Sequence, residues 1–258
     1  DLSYEAWNSL YVKIVVVVFM TLGGINFALL FKASMGKFKD VMRNTALKWY
    51  FIIILIAYIL LTINILMNGL FKSIEDITID PLFQAVSTIS STGIAESDFS
   101  DWGSLSVIVI VVLMFIGSCA GSTSGGAKVD RIVILIKFLR NEFFKMMNPN
   151  NVTTVSINGK GTSYVMVQKV LAFLCLYIIV IFVGGTLLVF TGVPLRESFF
   201  YCLSCISNAG ISTSAVGIGE GFAAIPDLAK WILSAIMLIG RLELYTVLLI
   251  FTPFFWEK

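Results

Sequence analysis

Five long apolar stretches, at residues 10–31, 46–69, 104–140, 167–191 and 226–256, alternate with short polar connectors. Each reaches or exceeds the roughly 20 residues that a helix needs to cross a hydrocarbon core. The pattern therefore predicts an all-α membrane protein. Two shorter apolar stretches, 82–90 and 199–206, lie in the connectors after the second and fourth long ones. A helix of about ten residues cannot span a bilayer, so these two are expected to enter and return on the same side. The irregular backbone that follows each must be buried in protein or line a water-filled cavity, since unsatisfied amides in lipid cost several kcal/mol each.

Those two connectors are copies of one another. Residues 83–94 read FQAVSTISSTGI and residues 200–211 read FYCLSCISNAGI; aligned without a gap they share Phe, Ser, Ile, Ser, Gly and Ile, with Val86 opposite Leu203. This internal repeat makes the unit helix, half-helix, extended loop, helix, with both copies in the same orientation. The C-terminal end of a half-helix carries about half a negative charge, and carbonyls beyond it can replace the water shell of a dehydrated cation. Ser91, Thr92, Gly93 and Ile94 in one copy, and Asn208, Ala209, Gly210 and Ile211 in the other, are the candidate ion-binding residues, with potassium as the bound metal. Gly93 and Gly210 permit the backbone angles that turn carbonyls inward. Ser91, Thr92 and Asn208 add side-chain oxygens and donors. The competing reading is that Ser-x-x-Gly merely caps a re-entrant hairpin inside a transporter bundle.

Charge sets a topology on this pattern. Lys32, Lys37, Lys39, Arg43 and Lys48 follow the first stretch against a single Asp40, and Lys128, Arg131, Lys137, Arg140 and Lys145 lie around the end of the third. Both connectors should face the cytoplasm. Glu75, Asp76, Asp80, Glu96, Asp98 and Asp101 against Lys72 fit an external vestibule that attracts cations. Composition agrees, with 58% hydrophobic and 13% charged residues against about 25% charged in soluble domains. A net charge of +2 argues against a nucleic-acid partner, and the absence of His argues against hydrolytic or metalloenzyme chemistry. Cys119, Cys175, Cys202 and Cys205 lie in apolar or glycine-rich stretches and read as small buried residues. Trp49, Trp102, Trp231 and Trp256 fall at segment ends, where interfacial belts form. The chain opens on Asp1 without a signal pattern, which suggests a piece of a longer protein.

The stretch 104–140 is too long for one spanning helix and is interrupted by Gly117, Gly121, Gly125 and Gly126, interleaved with Ser118, Ser122, Thr123 and Ser124, before Lys128. Each glycine weakens a helix by about 1 kcal/mol relative to alanine, and hydroxyls can satisfy the freed backbone, so a mobile intramembrane loop is expected. Small residues that let helices pack closely are the alternative. GSTSGGAK at 121–128 lacks the Gly-Lys-Ser/Thr ending of a phosphate-binding loop. Lys128 reads as a positive-inside anchor. Arg241 lies near the middle of the last stretch, where a charge costs from about 3 to over 10 kcal/mol and must find water, a partner or a pore. A guard on the pore and a tie between two helices both satisfy that demand, with Glu243 as a structural counterweight.

FMTLGGINFALLF at 19–31, ISSTGIAESDFSDW at 89–102, FIGSCAGSTSGGAKVDR at 115–131, SNAGIS at 207–212 and PDLAKWILSAIMLIGRLELYTVLLIFTPFFW at 226–256 together resemble the Trk/Ktr/HKT superfamily of potassium transporters, within it the TrkH/TrkG type. The resemblance implies repeated helix–pore-loop–helix units around a pseudo-fourfold axis and no enzymatic activity. It divides the chain into 1–45, the closing helix of an incomplete repeat with a cytoplasmic linker, and two complete repeats at 46–147 and 148–258. Two filter strands cannot encircle an ion, so two further strands are expected from sequence outside this chain or from a second copy. The resemblance further implies that the glycine loop gates the cytoplasmic half of the pore with Arg241 at the constriction, and that K+ is the transported ion without a covalent cofactor. A homodimer in the inner membrane of a prokaryote, surrounded by lipid and regulated by a cytosolic nucleotide-binding RCK-type subunit on the basic loops, completes the expectation. Symport with another ion stays open. An alternating-access transporter would show an inverted repeat, and a membrane scaffold would not need the paired glycine loops.

Overall fold

The computed structural model describes residues 9–69, 74–94, 102–148, 154–212, 222, 225–242, 244–250 and 256. Helices dominate. In chain order they are α1 (Leu10–Gly23), α2 (Phe27–Ser34), α3 (Phe38–Met42), α4 (Thr45–Asn68), α5 (Ile74–Ile89), α6 (Ser104–Ile116), α7 (Val129–Met147), α8 (Tyr164–Phe190), α9 (Leu195–Ile206), α10 (Asp227–Arg241) and α11 (Leu244–Ile250). Among the described residues, a hairpin of β1 (Ser156–Ile157) and β2 (Lys160–Gly161) in the connector before α8 is the one departure, pairing Ser156 with Gly161.

The two long helices begin and end where local chemistry says they should. Asn44 caps α4 by accepting from the Leu47 amide at 3.1 Å, and left-handed Gly69 ends it. Ser163 caps α8 in the same way through the Met166 amide, 3.3 Å away. Among the described residues α4 and α8 are long and apolar enough to cross a membrane, and α1 with α2 makes a third span if the bent pair counts as one.

The helices assemble as two like groups. In one, α4, α5 and α6 pack against each other; in the other, α8, α9 and α10 do the same. The groups meet their neighbours by one rule, with α1 seated on α5 and α6 seated on α9. In each case a helix earlier in the chain lies against the short helix of the group that follows it.

Several details differ from the sequence expectation. The stretch 10–31 is not one straight span, because α1 and α2 are bent by 106° around Gly24–Asn26. There Asn26 caps α2 through the Ala28 amide at 2.8 Å, and the side chain of Tyr50 occupies the space where Gly24 would carry a Cβ. The first half-helix, α5, begins at Ile74 and contains Pro81, so part of the expected acidic connector is helical. Asp80 within it pairs with Lys13 of α1 at 3.2 Å, the side chains being 14% and 13% exposed. It is a structural ion pair between neighbouring groups rather than an open vestibule charge. Lys72, Glu96, Asp98, Asp101 and Glu243 lie outside the described residues. Trp102 is buried at 7% exposure, and its carbonyl accepts from Asn64 at 2.5 Å and Asn68 at 3.0 Å; Trp49, Trp231 and Trp256 are exposed. Of the cysteines, Cys119, Cys202 and Cys205 are buried and Cys175 is exposed on α8.

Candidate ion pathway

The segments after α5 and α9 share a set of equivalent hydrogen bonds. Ser90 and Ser207 amides donate back to Val86 and Leu203 carbonyls at 3.0 Å in both copies. Thr92 and Ala209 amides donate to Ser87 and Ser204 carbonyls, again at 3.0 Å in both. The Ser87 hydroxyl reaches the Ile94 carbonyl at 2.6 Å, and the Ser204 hydroxyl reaches Ile211 at 2.7 Å. Backbone angles follow the same rule: φ is +54° at both Ser91 and Asn208, +75° at Gly93 and +70° at Gly210. A left-handed serine or asparagine is uncommon, so its recurrence at the same offset reflects a shared turn.

The two turns touch. A Cβ on Gly93 would overlap the backbone carbonyl oxygen of Ala209, so only glycine fits there. Gly210, its counterpart, has no described atom within 4 Å of that position. The candidate residues Ser91–Ile94 and Asn208–Ile211 are thus brought together on one side of the half-helix ends.

Residues 117–128 form a non-helical loop between α6 and α7, folded back on the end of α6. The amides of Ala127 and Lys128 donate to the carbonyls of Phe115 and Ile116, at 3.0 and 2.8 Å, and Val129 donates to Ser118 at 2.9 Å. Breaking the helix therefore leaves these carbonyls satisfied, as a dry interior requires. Hydroxyls of Ser118 and Ser124 reach the Ile89 carbonyl at the end of α5, 2.7 and 3.3 Å away. The Gly125 amide donates to the Ser91 hydroxyl at 3.2 Å, tying loop to turn. A Cβ on Gly125 would overlap the Ser207 carbonyl, while Gly126 packs on Gly117.

Further ties hold the loop from the other sides. Phe27 donates to the Gly121 carbonyl at 3.1 Å, and the Ser122 hydroxyl to Cys119 at 2.7 Å. The Thr123 amide and hydroxyl both reach the Gly23 carbonyl, at 3.3 and 3.1 Å. Arg241, at the end of α10, donates from Nη1 to the Thr123 carbonyl at 2.8 Å, and Lys128 Nζ donates to the Ser124 carbonyl. A cavity of 240 Å³ lies between loop and helices, bordered by Thr123, Lys128, Arg131, Tyr177, Gly240 and Arg241. The Arg131 guanidinium sits 3.8 Å from the centre of the Phe173 ring, a cation–π contact. The loop is thus strapped to α1, α2, α10, the end of α5 and the turn after it, and lies close against the turn after α9, which is more restraint than its glycine content suggests.

All of residues 1–258 match the family of TrkH, described as cation transport protein. The chain belongs to the TrkH family. Among curated relatives it is 28% identical to the Trk system potassium uptake protein TrkH of Salmonella typhimurium, over 100% of this chain and 53% of that one. It is 30% identical to the TrkH of Vibrio parahaemolyticus, again over 100% and 53%, and 28% identical to the TrkG of Escherichia coli, over 99% and 52%. The crystal structure of the potassium transporter TrkH from Vibrio parahaemolyticus superposes with a TM-score of 0.89 at 29% identity, covering 97% of this chain and 54% of that one. The chain spans about half the length of the curated relatives it matches. The family is one of cation transport proteins rather than of enzymes.

In this TrkH-family chain the sequence-nominated turn and loop residues converge, and the structure adds others. Gly23 and Gly240 join the already nominated Gly117; each follows a large aliphatic residue, in TLG, LIG and FIG, at or near the C-terminal end of α1, α10 and α6. Gly240 lies so close to the end of α9 that a Cβ would overlap the Ile206 carbonyl. Aligning these three tripeptides exposes the signal in sequence. Ser87 and Ser204 are one of the positions that the two copies share, and Ser118 is one of the hydroxyls set among the loop glycines; what sequence left open is the carbonyl that each one bonds, Ile94, Ile211 and Ile89.

Proposed function

We propose that the chain forms half of a potassium uptake pore, with Ser91–Ile94 and Asn208–Ile211 as two of four strands of a selectivity filter. The supporting observation is the repeated turn itself, in which three backbone or hydroxyl bonds recur with distances equal to within 0.1 Å. Positive φ at Ser91 and Gly93 alternates with negative φ at Thr92, and likewise around Ala209. Carbonyls of an extended strand point alternately to opposite sides; alternating the sign of φ brings successive ones to a common side. Both half-helices aim their negative C-terminal ends at this place. Dehydrated K+ is the cargo, held by carbonyls in place of water.

Below the filter, the loop 117–128 acts as the gate, held shut by Arg241 on Thr123 and Lys128 on Ser124. Its opening requires these bonds and the Ser118 and Ser124 bonds to Ile89 to exchange for others. The units repeat around a pseudo-fourfold axis, with the remaining two contributed by sequence outside this chain. The intact protein works as a multi-pass homodimer in the inner membrane of a bacterium. A cytosolic nucleotide-binding RCK-type subunit regulates it through the basic connectors bearing Lys37, Lys39, Arg43 and Arg140.

Cation flux into liposomes containing the intact protein tests this reading, comparing the parent with Gly93→Ser and Gly210→Ser. Both variants are expected to lose discrimination of potassium over sodium. Unchanged discrimination in both removes the filter assignment.

A further inference from the structure

A second cavity, of 470 Å³, opens between α6, α8 and α9, away from the loop and turns. Val107, Val111 and Phe115 form one wall, Phe182 another, and Phe199 and Leu203 the floor; among the described residues, Arg196 is the one charged residue at its border. Ile178, Phe182 and Val112 at its lips are exposed, continuous with exposed Ile108, Ile179 and Val183 on the same helices. An apolar cavity does not hold water stably, and one that opens between two apolar helix faces opens into hydrocarbon.

We propose that this groove seats an acyl chain of an anionic phospholipid, with the headgroup phosphate on Arg196. Length agrees: Val107 to Phe115 is eight residues of helix, about 12 Å, against about 15 Å for one leaflet of a 30 Å hydrocarbon core. Polarity runs the right way as well. Arg196 stands exposed in the first turn of α9, at the end of the groove marked by Val107, so guanidinium and helix N-terminus both favour a negative headgroup there. Glu197 is the next residue, turned about 100° round the helix. The Phe115 and Leu203 end lies deep, beside the last turns of α6 and α9.

The seam is also where lipid can reach it. The contact of α6 on α9 repeats the contact of α1 on α5, so further units of a ring attach at the α1 and α10 edges and leave α6–α8–α9 on the perimeter. This placement rests on the four-repeat reading above. A bound chain there presses on Leu203, one turn before Ser207, and couples bilayer composition to the second filter strand.

The test is native mass spectrometry of the intact protein in detergent, titrated with palmitoyl-oleoyl phosphatidylglycerol or the matched phosphatidylcholine. The parent is expected to retain phosphatidylglycerol in preference. Arg196→Gln, at an exposed position, should lower that preference about fivefold, the worth of one cation near an anionic headgroup. Val111→Trp should fill the groove and reduce retention of both lipids. Equal preference in Arg196→Gln and parent overturns the headgroup site; undiminished retention in Val111→Trp overturns the acyl site. Loss of the dimer in Val111→Trp with lipid retention unchanged overturns it in favour of a second copy in the groove. Lipid retention is read without ion flux, so failure of the filter assignment leaves its own separate signature.

Discussion

Gly93 lies against the carbonyl of Ala209 so closely that no side chain fits between them. Two turns separated by more than a hundred residues thereby meet through backbone alone. On the proposed four-unit ring, Gly210 should lie against the corresponding carbonyl of a further unit; the space beside it is open among the described residues.

In the intact protein, then, Gly93→Ala and Gly210→Ala should be equally harmful to potassium flux. Each also meets about 1–2 kcal/mol of backbone strain at positive φ. Liposome flux reads the outcome. A silent Gly210→Ala beside an inactive Gly93→Ala sinks the ring arrangement while leaving the contact seen here intact.

Ser87 and Ser204 hold equivalent bonds to Ile94 and Ile211. Replacing either by alanine removes one buried hydrogen bond worth about 1 kcal/mol and leaves a carbonyl unsatisfied at further cost. Selectivity for potassium over sodium should fall by a similar factor in the two variants, measured from reversal potentials. If only one affects selectivity, the turns are not functional equivalents.

Arg241 donates to Thr123 in the loop. A hydrogen bond from a charged group contributes about 1.5–3 kcal/mol, so Arg241→Ala should raise the open fraction of the gate about tenfold or more where that bond exists only in the closed form. Flux should rise with the unfolding temperature little changed. A variant that unfolds, with no gain of flux, instead assigns Arg241 to tying α10 to the loop structurally.

Lys13 and Asp80 join α1 to α5 from largely buried positions. Breaking the pair by Lys13→Met removes the cation from beside a largely buried carboxylate, an expected loss of about 3 kcal/mol. The double variant Lys13→Met, Asp80→Asn should recover much of it. Thermal unfolding of the four forms in a double-mutant cycle gives the coupling directly, and a coupling near zero shows that the pair is incidental.

Much of this chain was legible before folding. The lengths of α4 and α8, the break at Gly117–Gly126 and the paired turns follow from composition, glycine placement and an internal repeat, all of which act locally. Partner choice was not. Asp80 read as one acidic connector residue among six until α1 put Lys13 beside it, and Trp102 read as an interfacial anchor until Asn64 and Asn68 enclosed its carbonyl. Within spans that are apolar on every side, hydropathy cannot separate the face toward protein from the face toward lipid, so Gly24 against Tyr50 and the 106° bend it accompanies left no periodic trace. What sequence alone determined is the span of α4 and α8, the paired turns and the break at Gly117–Gly126, because those depend on neighbours a few residues apart. Tertiary structure decided that the Thr123 loop is strapped to Gly23 and Arg241, and that Gly93 meets Ala209, because those contacts join residues about a hundred or more positions apart and exist only once the helices pack.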